Sequence, residues 1–261
     1  MNKIFMGNDF DEIYKEIVEG LLTDPEYTIK NRKEENLNEF INPSILLKDP
    51  SFCFALCRDM SFNYLKGELA WYLSGDPSIK PILQYSKFWQ GISDDGWSAN
   101  SNYGKLLLHD RNLHNYTQFE YAKFCLLNNV ESKKAVMLIY KHDASFKSLD
   151  NPCTMYLQYF IRNNKLDLYV KMRSSDIYFG MPYDVPFFVL LQYKMLKELQ
   201  QEKYSDLKIG YYNHNSGSLH IYERDFEKIK KAFKDYPEKY KGIDLIFHKQ
   251  NLFDEIIKSR L

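Results

Sequence analysis

The stretch from Asn151 to Asp184 constrains the fold of this chain more than any other part of its sequence. Near its middle, Asn163-Asn164 lies between two runs of strand-like sequence. Asparagine tolerates positive φ, which a two-residue hairpin turn requires. After the pair, apolar residues alternate with more polar ones, at Leu166, Leu168, Val170 and Met172. The pattern predicts a β-hairpin with one buried face.

This predicted hairpin carries a thiol and a guanidinium. Cys153 follows Asn-Pro at the start of the first strand, and Arg173 falls on the face opposite the apolar residues of the second. A lone cysteine is more often a buried small hydrophobe than a nucleophile. Its place at the end of an element favours a functional role, because active-site groups are often held there. A guanidinium beside a thiol would favour the thiolate.

Length and composition indicate one globular domain, residues 1–261, of the α+β class. The chain has 261 residues, of which 44% are hydrophobic, enough for one sizeable core. Lys plus Arg equals Asp plus Glu at 35 each, so no overall basic field would hold a nucleic acid. A small anionic ligand needs only local charge.

Cysteine spacing and the N-terminus argue against other classes. The four cysteines lack the spacing of a disulfide framework, and Cys53 and Cys57 have no nearby His partners for zinc, so no metal is expected. Asp9, Asp11 and Glu12 lie where a signal peptide would need an apolar core, and no apolar run approaches the roughly 18 residues of a membrane span. We expect a cytoplasmic protein with no membrane partner.

Several further residues have ordinary structural interpretations. Glu68 borders the apolar stripe of a helix predicted over Asp59–Leu73, where a carboxylate is usually a rim charge. Lys133-Lys134 precedes a predicted strand and would be solvated. The polar segment from Tyr27 to Phe40 predicts an exposed loop containing Arg32, and Asp184 before Val-Pro has the pattern of a helix N-cap.

Sequence blocks along most of residues 27 to 226 resemble the thymidylate synthase family. The blocks are Pro152-Cys153, RSSD from Arg173 to Asp176, the following Gly-Met-Pro, ELAWYLSGD from Glu68 to Asp76, KFWQ with Trp89, NYG from Asn102 to Gly104, and SLHIY from Ser218 to Tyr222. Some departures resemble the deoxycytidylate hydroxymethylase branch of certain bacteriophages. Asp184 stands where the synthases have an asparagine that reads uracil, and Thr154 replaces the histidine after their nucleophile.

The resemblance implies a mixed β-sheet with helices on one face and a homodimer formed through the other. It also implies that Cys153 adds to C6 of dCMP, favoured over dUMP, and that 5,10-methylenetetrahydrofolate supplies a one-carbon unit. Arg173 would lower the pKa of the thiol and bind phosphate, Glu68 would manage protons and water, and Asp184 would read the base. Two alternatives stay open: a methylating synthase acting on dCMP or dUMP, and a catalytically silent nucleotide-binding member.

The same resemblance assigns the remaining site residues. The nucleotide ligands would include Arg32, Lys133, Lys134, Arg173, Ser174, Asp176, Asp184, His220 and Tyr222. Lys133 and Lys134 would contact phosphate across the dimer. Trp89 and Tyr103 would form the wall that folate contacts. A phage-encoded protein would work in the host cytoplasm.

Overall fold

A computed structural model describes residues 3–31, 33–140 and 147–261 of the chain. The chain divides into two compact units, Met1–Met60 with Asn163–Leu261, and Ser61–Arg162. Each unit buries apolar side chains of its own. The strands are β1 (Ile4–Gly7), β2 (Tyr27–Lys30), β3 (Asn36–Ile41), β4 (Ser44–Leu47), β5 (Val136–Leu138), β6 (Thr154–Arg162), β7 (Lys165–Asp176) and β8 (Lys208–Tyr222).

The first unit is built around the long strand β8. β7 pairs with β8 in parallel, whereas β3 and β4 pair with it antiparallel. β1 extends the sheet in parallel beside β4, and β2 pairs antiparallel with β3. The sheet is therefore mixed. In the second unit, β5 and β6 are antiparallel.

Helices complete both units. They are α1 (Phe10–Thr23), α2 (Phe62–Ser74), α3 (Lys80–Leu83), α4 (Phe88–Ile92), α5 (Gln118–Asn128), α6 (Met181–Glu202), α7 (Phe226–Lys239) and α8 (Leu245–Ile256). In the first unit, α1 packs against β1 and β3, and α6 packs against β7 and β8. The predicted α+β class, with a mixed sheet and helices, is confirmed. Among the helices in the described ranges, none has both the length and the apolar character that crossing a membrane requires.

The sequence pattern around the Asn pair matches the structure. Asn163 and Asn164 have φ angles of 48° and 58°, as a type I′ turn requires. Along β7, the predicted apolar positions from Leu166 to Met172 are buried, and Arg173 is exposed on the opposite side. Arg173 thus projects away from the core, as its place in the alternation predicted.

The alternation of buried and exposed residues shifts by one residue in both β7 and β8, at the same level of the sheet. Buried positions change from even to odd numbers between Met172 and Ser175 in β7, and between Ser216 and Leu219 in β8. A Cβ on Gly217 would lie 2.6 Å from the carbonyl oxygen of Arg173, so only glycine allows these backbones to approach so closely. The predicted ligands on both strands lie at or just beyond this shift.

Three local predictions have different outcomes. The sequence T-x-x-E at Thr117 and Glu120 predicts a capping box, and Thr117 caps α5 in a complete one with Glu120. The loop prediction for Tyr27–Phe40 is wrong, because the segment contains β2 and β3. β2 is exposed along its length, so its sequence shows no alternation of buried and exposed residues. The strand-like sequence IDLIF, Ile243–Phe247, also predicts a strand, and that prediction is wrong because Asp244 caps the start of α8 there.

Candidate active site

Cys153 lies immediately before β6 and is half-buried. The structure describes all four cysteines of the chain, and the other three are buried. Burial raises the pKa of Cys53 and Cys57 far above that of an ordinary thiol. Since the thiolate is the nucleophile, these two buried thiols are unsuited to attack. Partial exposure at the end of a strand makes Cys153 the best candidate of the four.

Two hydrogen-bonded anchors fix the backbone on either side of Cys153. Before it, the buried carboxylate of Asp150 accepts from the backbone N–H and the hydroxyl of Ser101, at 2.9 and 2.6 Å. After it, the backbone N–H of Thr154 donates to the hydroxyl of Tyr103 over 3.4 Å. Ser101 and Tyr103 therefore hold the cysteine segment in place. Sequence reasoning missed Asp150, whose partner is distant in the chain.

An aromatic series runs from Tyr103 into the core of the second unit. Tyr103 stacks on Tyr72 with ring centroids 5.6 Å apart, and Tyr72 stacks on Trp71 at 5.3 Å. Trp71 then meets the edge of Trp89 at 4.8 Å. Gly104 permits the approach, because a Cβ there would lie 1.9 Å from the carbonyl oxygen of Tyr72. The two predicted wall residues thus belong to one aromatic cluster.

Glu68 is buried on α2, with 6% of its surface exposed, so its interpretation as a rim charge is wrong. The helix begins at Phe62 with Ser61 as its N-cap, three residues later than predicted. The Tyr64 hydroxyl donates to Oε1 of Glu68 at 2.6 Å and accepts from Nε1 of Trp89 at 3.1 Å. Burial raises the pKa of Glu68 to about 7, despite the hydrogen bond from Tyr64. A carboxyl group with this pKa can take up or release a proton near neutral pH.

Tyr64 is a hydrogen-bond partner of Glu68 that sequence reasoning missed. Its position four residues before Glu68 places the two side chains on one face of a helix, and this spacing was a usable signal.

In the first unit, the RSSD block forms the end of β7. Ser174 and Asp176 are half-buried beyond the exposed Arg173. Oδ1 of Asp176 accepts from the backbone N–H groups of Tyr178 and Phe179, at 2.8 and 3.1 Å. Burial raises the pKa of Asp176, although these hydrogen bonds and the nearby His220 oppose the rise. The carboxylate thereby fixes the turn that leads into α6.

His220 and Tyr222 lie on the same side of β8, as a spacing of two residues in a strand predicts. Their rings meet edge to face, with centroids 5.2 Å apart. His220 is also the register partner of Asp176 on β7. The structure therefore brings Asp176, His220 and Tyr222 together at one end of the sheet.

Asp184 occupies the first turn of α6 and is half-buried, and its interpretation as an N-cap is wrong. The helix begins at Met181, after Gly180, because Pro182 fits its first turn, where no N–H is needed. The Asp184 carboxylate turns back towards the helix start, where a Cβ on Gly180 would lie 3.2 Å from its Oδ2. The positive end of the helix dipole stabilises a negative charge at this position.

Two of the predicted phosphate ligands, Lys133 and Lys134, lie in the second unit. Lys133 and Lys134 are exposed just before β5, at the entrance of the strand as predicted. The carbonyl of Lys133 accepts from the side chain of Gln158, and the backbone N–H of Lys134 donates to the Ser132 hydroxyl. Arg32 lies outside the described residues.

Sequence comparisons agree with the resemblance. The family model described as thymidylate synthase matches residues 12–259. Deoxycytidylate 5-hydroxymethyltransferase of Enterobacteria phage T4 is 30% identical over 203 residues, covering 75% of this chain and 80% of that protein. The phage T6 enzyme of the same name has the same identity and coverage. Thymidylate synthase of Corynebacterium aurimucosum is 24% identical over 208 residues, covering 78% of this chain and 75% of that one.

The chain belongs to the thymidylate synthase family. Family members are one-carbon transferases that use methylenetetrahydrofolate and act on pyrimidine nucleoside monophosphates. A flat heteroaromatic co-substrate needs an aromatic wall with few, well-placed polar groups. The aromatic cluster from Tyr103 to Trp89 fits that requirement. The hydroxyl of Tyr64 links Trp89 of this cluster to the buried Glu68 by hydrogen bonds.

The predicted site residues of this thymidylate synthase family member fall into two groups. The second unit contains Cys153, Glu68, Trp89 and Tyr103. The first unit contains Arg173, Asp176, Asp184 and His220. Within residues 3–31, 33–140 and 147–261, no group of three or more His, Cys, Asp or Glu side chains could hold a metal ion.

Proposed function

We propose that this protein is a pyrimidine nucleotide C5 hydroxymethyltransferase, which converts dCMP to 5-hydroxymethyl-dCMP with 5,10-methylenetetrahydrofolate. The observation that carries the proposal is the carboxylate of Asp184 in the first turn of α6. A carboxylate accepts the N4 amino hydrogen of cytosine and offers no donor to O4 of uracil while it is ionised. The 30% identity to two phage deoxycytidylate 5-hydroxymethyltransferases supports the same choice.

The reaction begins with nucleophilic addition. The thiolate of Cys153 bonds to C6 of the pyrimidine, which makes C5 electron-rich enough to form a carbon–carbon bond. The proposed role of Arg173 is to stabilise the thiolate and to bind the phosphate. The co-substrate, when bound, supplies the one-carbon unit. C5 then loses its proton, and the bond between the transferred carbon and the co-substrate nitrogen breaks. These two events release tetrahydrofolate and leave an exocyclic methylene group on the nucleotide.

Water completes the proposed reaction. Its oxygen bonds to the methylene carbon, the electron pair restores the C5–C6 double bond, and the bond between C6 and the Cys153 sulfur breaks to release the thiolate. One proton of the water must be removed. Glu68, with a pKa of about 7, is suited to hold that water and accept the proton.

The other residues bind and orient the nucleotide. Their proposed roles are phosphate binding for Arg32, sugar contacts for His220 and Tyr222, and nucleotide contacts for Ser174 and Asp176. Residues 1–261 would act as one catalytic domain and dimerise through the sheet, with Lys133 and Lys134 reaching the phosphate in the partner's site. Lysine supplies charge there without the bidentate geometry of arginine.

A product assay tests the proposal directly. The protein is incubated with methylenetetrahydrofolate and, separately, with dCMP, CMP and dUMP, and the products are identified by mass spectrometry. We expect 5-hydroxymethyl-dCMP together with tetrahydrofolate, since only methylation consumes the hydride of the cofactor. Dihydrofolate with a methylated nucleotide would instead favour a thymidylate synthase-like methylase. No product from any of the three nucleotides would favour a silent nucleotide-binding protein.

A further inference from the structure

His220 lies between two carboxylates on neighbouring strands. Its register partner on β3 is Glu39, and its register partner on β7 is Asp176. Glu39 and His220 are both buried, with 8% and 6% of their surfaces exposed. A buried imidazole in such surroundings has few tautomeric and protonation states available, because a ring N–H needs a hydrogen-bond acceptor and an unprotonated ring nitrogen needs a donor.

Ser218 connects Glu39 to His220. Its hydroxyl donates a hydrogen bond to Oε2 of Glu39 at 2.6 Å. The hydroxyl oxygen of Ser218 also lies 3.3 Å from Nδ1 of His220. A serine hydroxyl has a single hydrogen. With that hydrogen on the Glu39 carboxylate, the Ser218 oxygen can only accept from the imidazole. Nδ1 therefore carries the proton, and Nε2 keeps its lone pair.

We infer that Glu39 and Ser218 are positioning residues, which hold His220 in the Nδ1–H tautomer so that Nε2 accepts a hydrogen bond from the 3′-hydroxyl of the deoxyribose. The choice of ligand rests on the proposed function, whereas the tautomer follows from the contacts alone. Neither Glu39 nor Ser218 has to touch the nucleotide.

The imidazole must be neutral for Nε2 to accept. Four charged or titratable groups surround it: Glu39 on β3, Asp176 on β7, Tyr222 on β8 and Arg224 just after β8. The two carboxylates favour the imidazolium, but burial has the larger effect and lowers the pKa of His220. An imidazolium would donate from both nitrogens and would repel a hydroxyl hydrogen.

Nuclear magnetic resonance of the imidazole nitrogens tests the tautomer without any ligand. In ¹⁵N-labelled protein, we expect the signals of His220 to show a protonated Nδ1 and an unprotonated Nε2. Ser218→Ala and Glu39→Gln should both give mixed tautomers. Ser218→Ala removes the acceptor for Nδ1, and Glu39→Gln introduces an amide that can donate to the Ser218 oxygen, so the hydroxyl hydrogen is free to turn towards Nδ1. Ser216→Ala is the matched control on β8, since the Ser216 hydroxyl has no hydrogen-bond partner in the described part of the chain. A wild-type His220 protonated on Nε2 would overturn the inference.

Binding measurements test the consequence for the sugar. The wild type should bind dCMP about tenfold more tightly than 2′,3′-dideoxycytidine monophosphate, which lacks the 3′-hydroxyl. Ser218→Ala should lower this ratio, because part of His220 then carries its proton on Nε2, and Ser218→Thr should restore it because threonine keeps the hydroxyl. An unchanged ratio in Ser218→Ala would overturn the role of the relay. Failure of the wild type to bind either nucleotide would overturn the proposed function and the choice of ligand, while the nitrogen signals would still decide the tautomer.

Discussion

The Tyr64 hydroxyl donates a 2.6 Å hydrogen bond to Oε1 of Glu68, one turn further along α2. Because Nε1 of Trp89 donates to the same hydroxyl, the hydroxyl hydrogen is committed to the carboxylate. The bond stabilises the charged form of Glu68, whereas burial stabilises the neutral form and has the larger effect. The pKa of about 7 is the balance of these two influences.

Removing the donor should move this balance further towards the neutral acid. In Tyr64→Phe, the pKa of Glu68 should rise, so the acid limb of the kcat–pH profile should shift to higher pH and kcat at pH 7 should fall severalfold. Tyr116→Phe, a change at an exposed tyrosine of the same unit, is the control. An unchanged acid limb in Tyr64→Phe would show that ionised Glu68 does not limit the reaction.

Glu68 should also make stability depend on pH. Its pKa in the folded protein is about 7 against an ordinary 4.5, so the unfolded state ionises first as pH rises. The stability present below pH 4.5 is lost as pH rises to about 7, and the full loss is roughly 3 kcal/mol. Glu68→Gln should lack this part of the pH dependence. Urea unfolding at pH 5 and pH 8 measures it, and Glu131→Gln, at an exposed position, should behave as the wild type.

Elements with local signals were predictable from sequence. The Asn163-Asn164 turn, the alternation along β7 and the capping box of Thr117 each depend on residues close together in the chain. β2 was missed because it is exposed along its length, so its pairing with β3 left no apolar pattern. The start of α6 was misplaced because two prolines compete as first-turn residues, and Pro182 rather than Pro186 occupies that place.

The candidate site was predictable only in part, for the same reason. Residue types and spacing indicated Cys153 and the shared side of His220 and Tyr222. The partners that tune the site come from other elements. Glu39 reaches Ser218 from another strand, and Asp150 binds a serine 49 residues away in sequence. Such contacts depend on tertiary structure, which neither periodicity nor spacing encodes.

Replacing Cys153 with serine should abolish turnover while folding and nucleotide binding persist, because a hydroxyl supplies almost no anion at neutral pH. Turnover, thermal unfolding and dCMP binding are measured together. Cys125→Ser, the same substitution at a buried cysteine of α5, should keep its activity. Retained turnover in Cys153→Ser would remove the covalent mechanism.

Subunit complementation tests a site shared across a dimer. A Cys153→Ser chain and a Lys133→Ala/Lys134→Ala chain should each be inactive or nearly so. Mixing them should restore part of the activity, because a heterodimer would contain one site with both the cysteine and the lysine pair. No recovery, once mass spectrometry of differently labelled chains has demonstrated subunit exchange, would contradict the shared site.

Asp184 provides the sharpest test of which pyrimidine base the protein binds. Cytosine offers an acceptor at N3 and an amino donor at N4, whereas uracil offers a donor at N3 and an acceptor at O4. An ionised carboxylate can accept from the N4 amino group, and from N3 if that nitrogen is protonated as Cys153 adds. With uracil, O4 and a carboxylate oxygen would face each other. An unsatisfied buried polar group costs about 1 to 3 kcal/mol, and more when it is charged.

We therefore expect the wild type to prefer dCMP over dUMP by at least about a hundredfold in kcat/KM, and Asp184→Asn to shift this ratio towards dUMP, because an amide can donate to O4. Asp206→Asn, at an exposed position, should leave the ratio unchanged. Asp184 also interacts with the N-terminus of α6, so its loss should lower the unfolding free energy by about 0.3 to 1 kcal/mol. A wild-type preference for dUMP would contradict the assignment of the base. A variant that loses stability but keeps the wild-type ratio would limit Asp184 to its helical role.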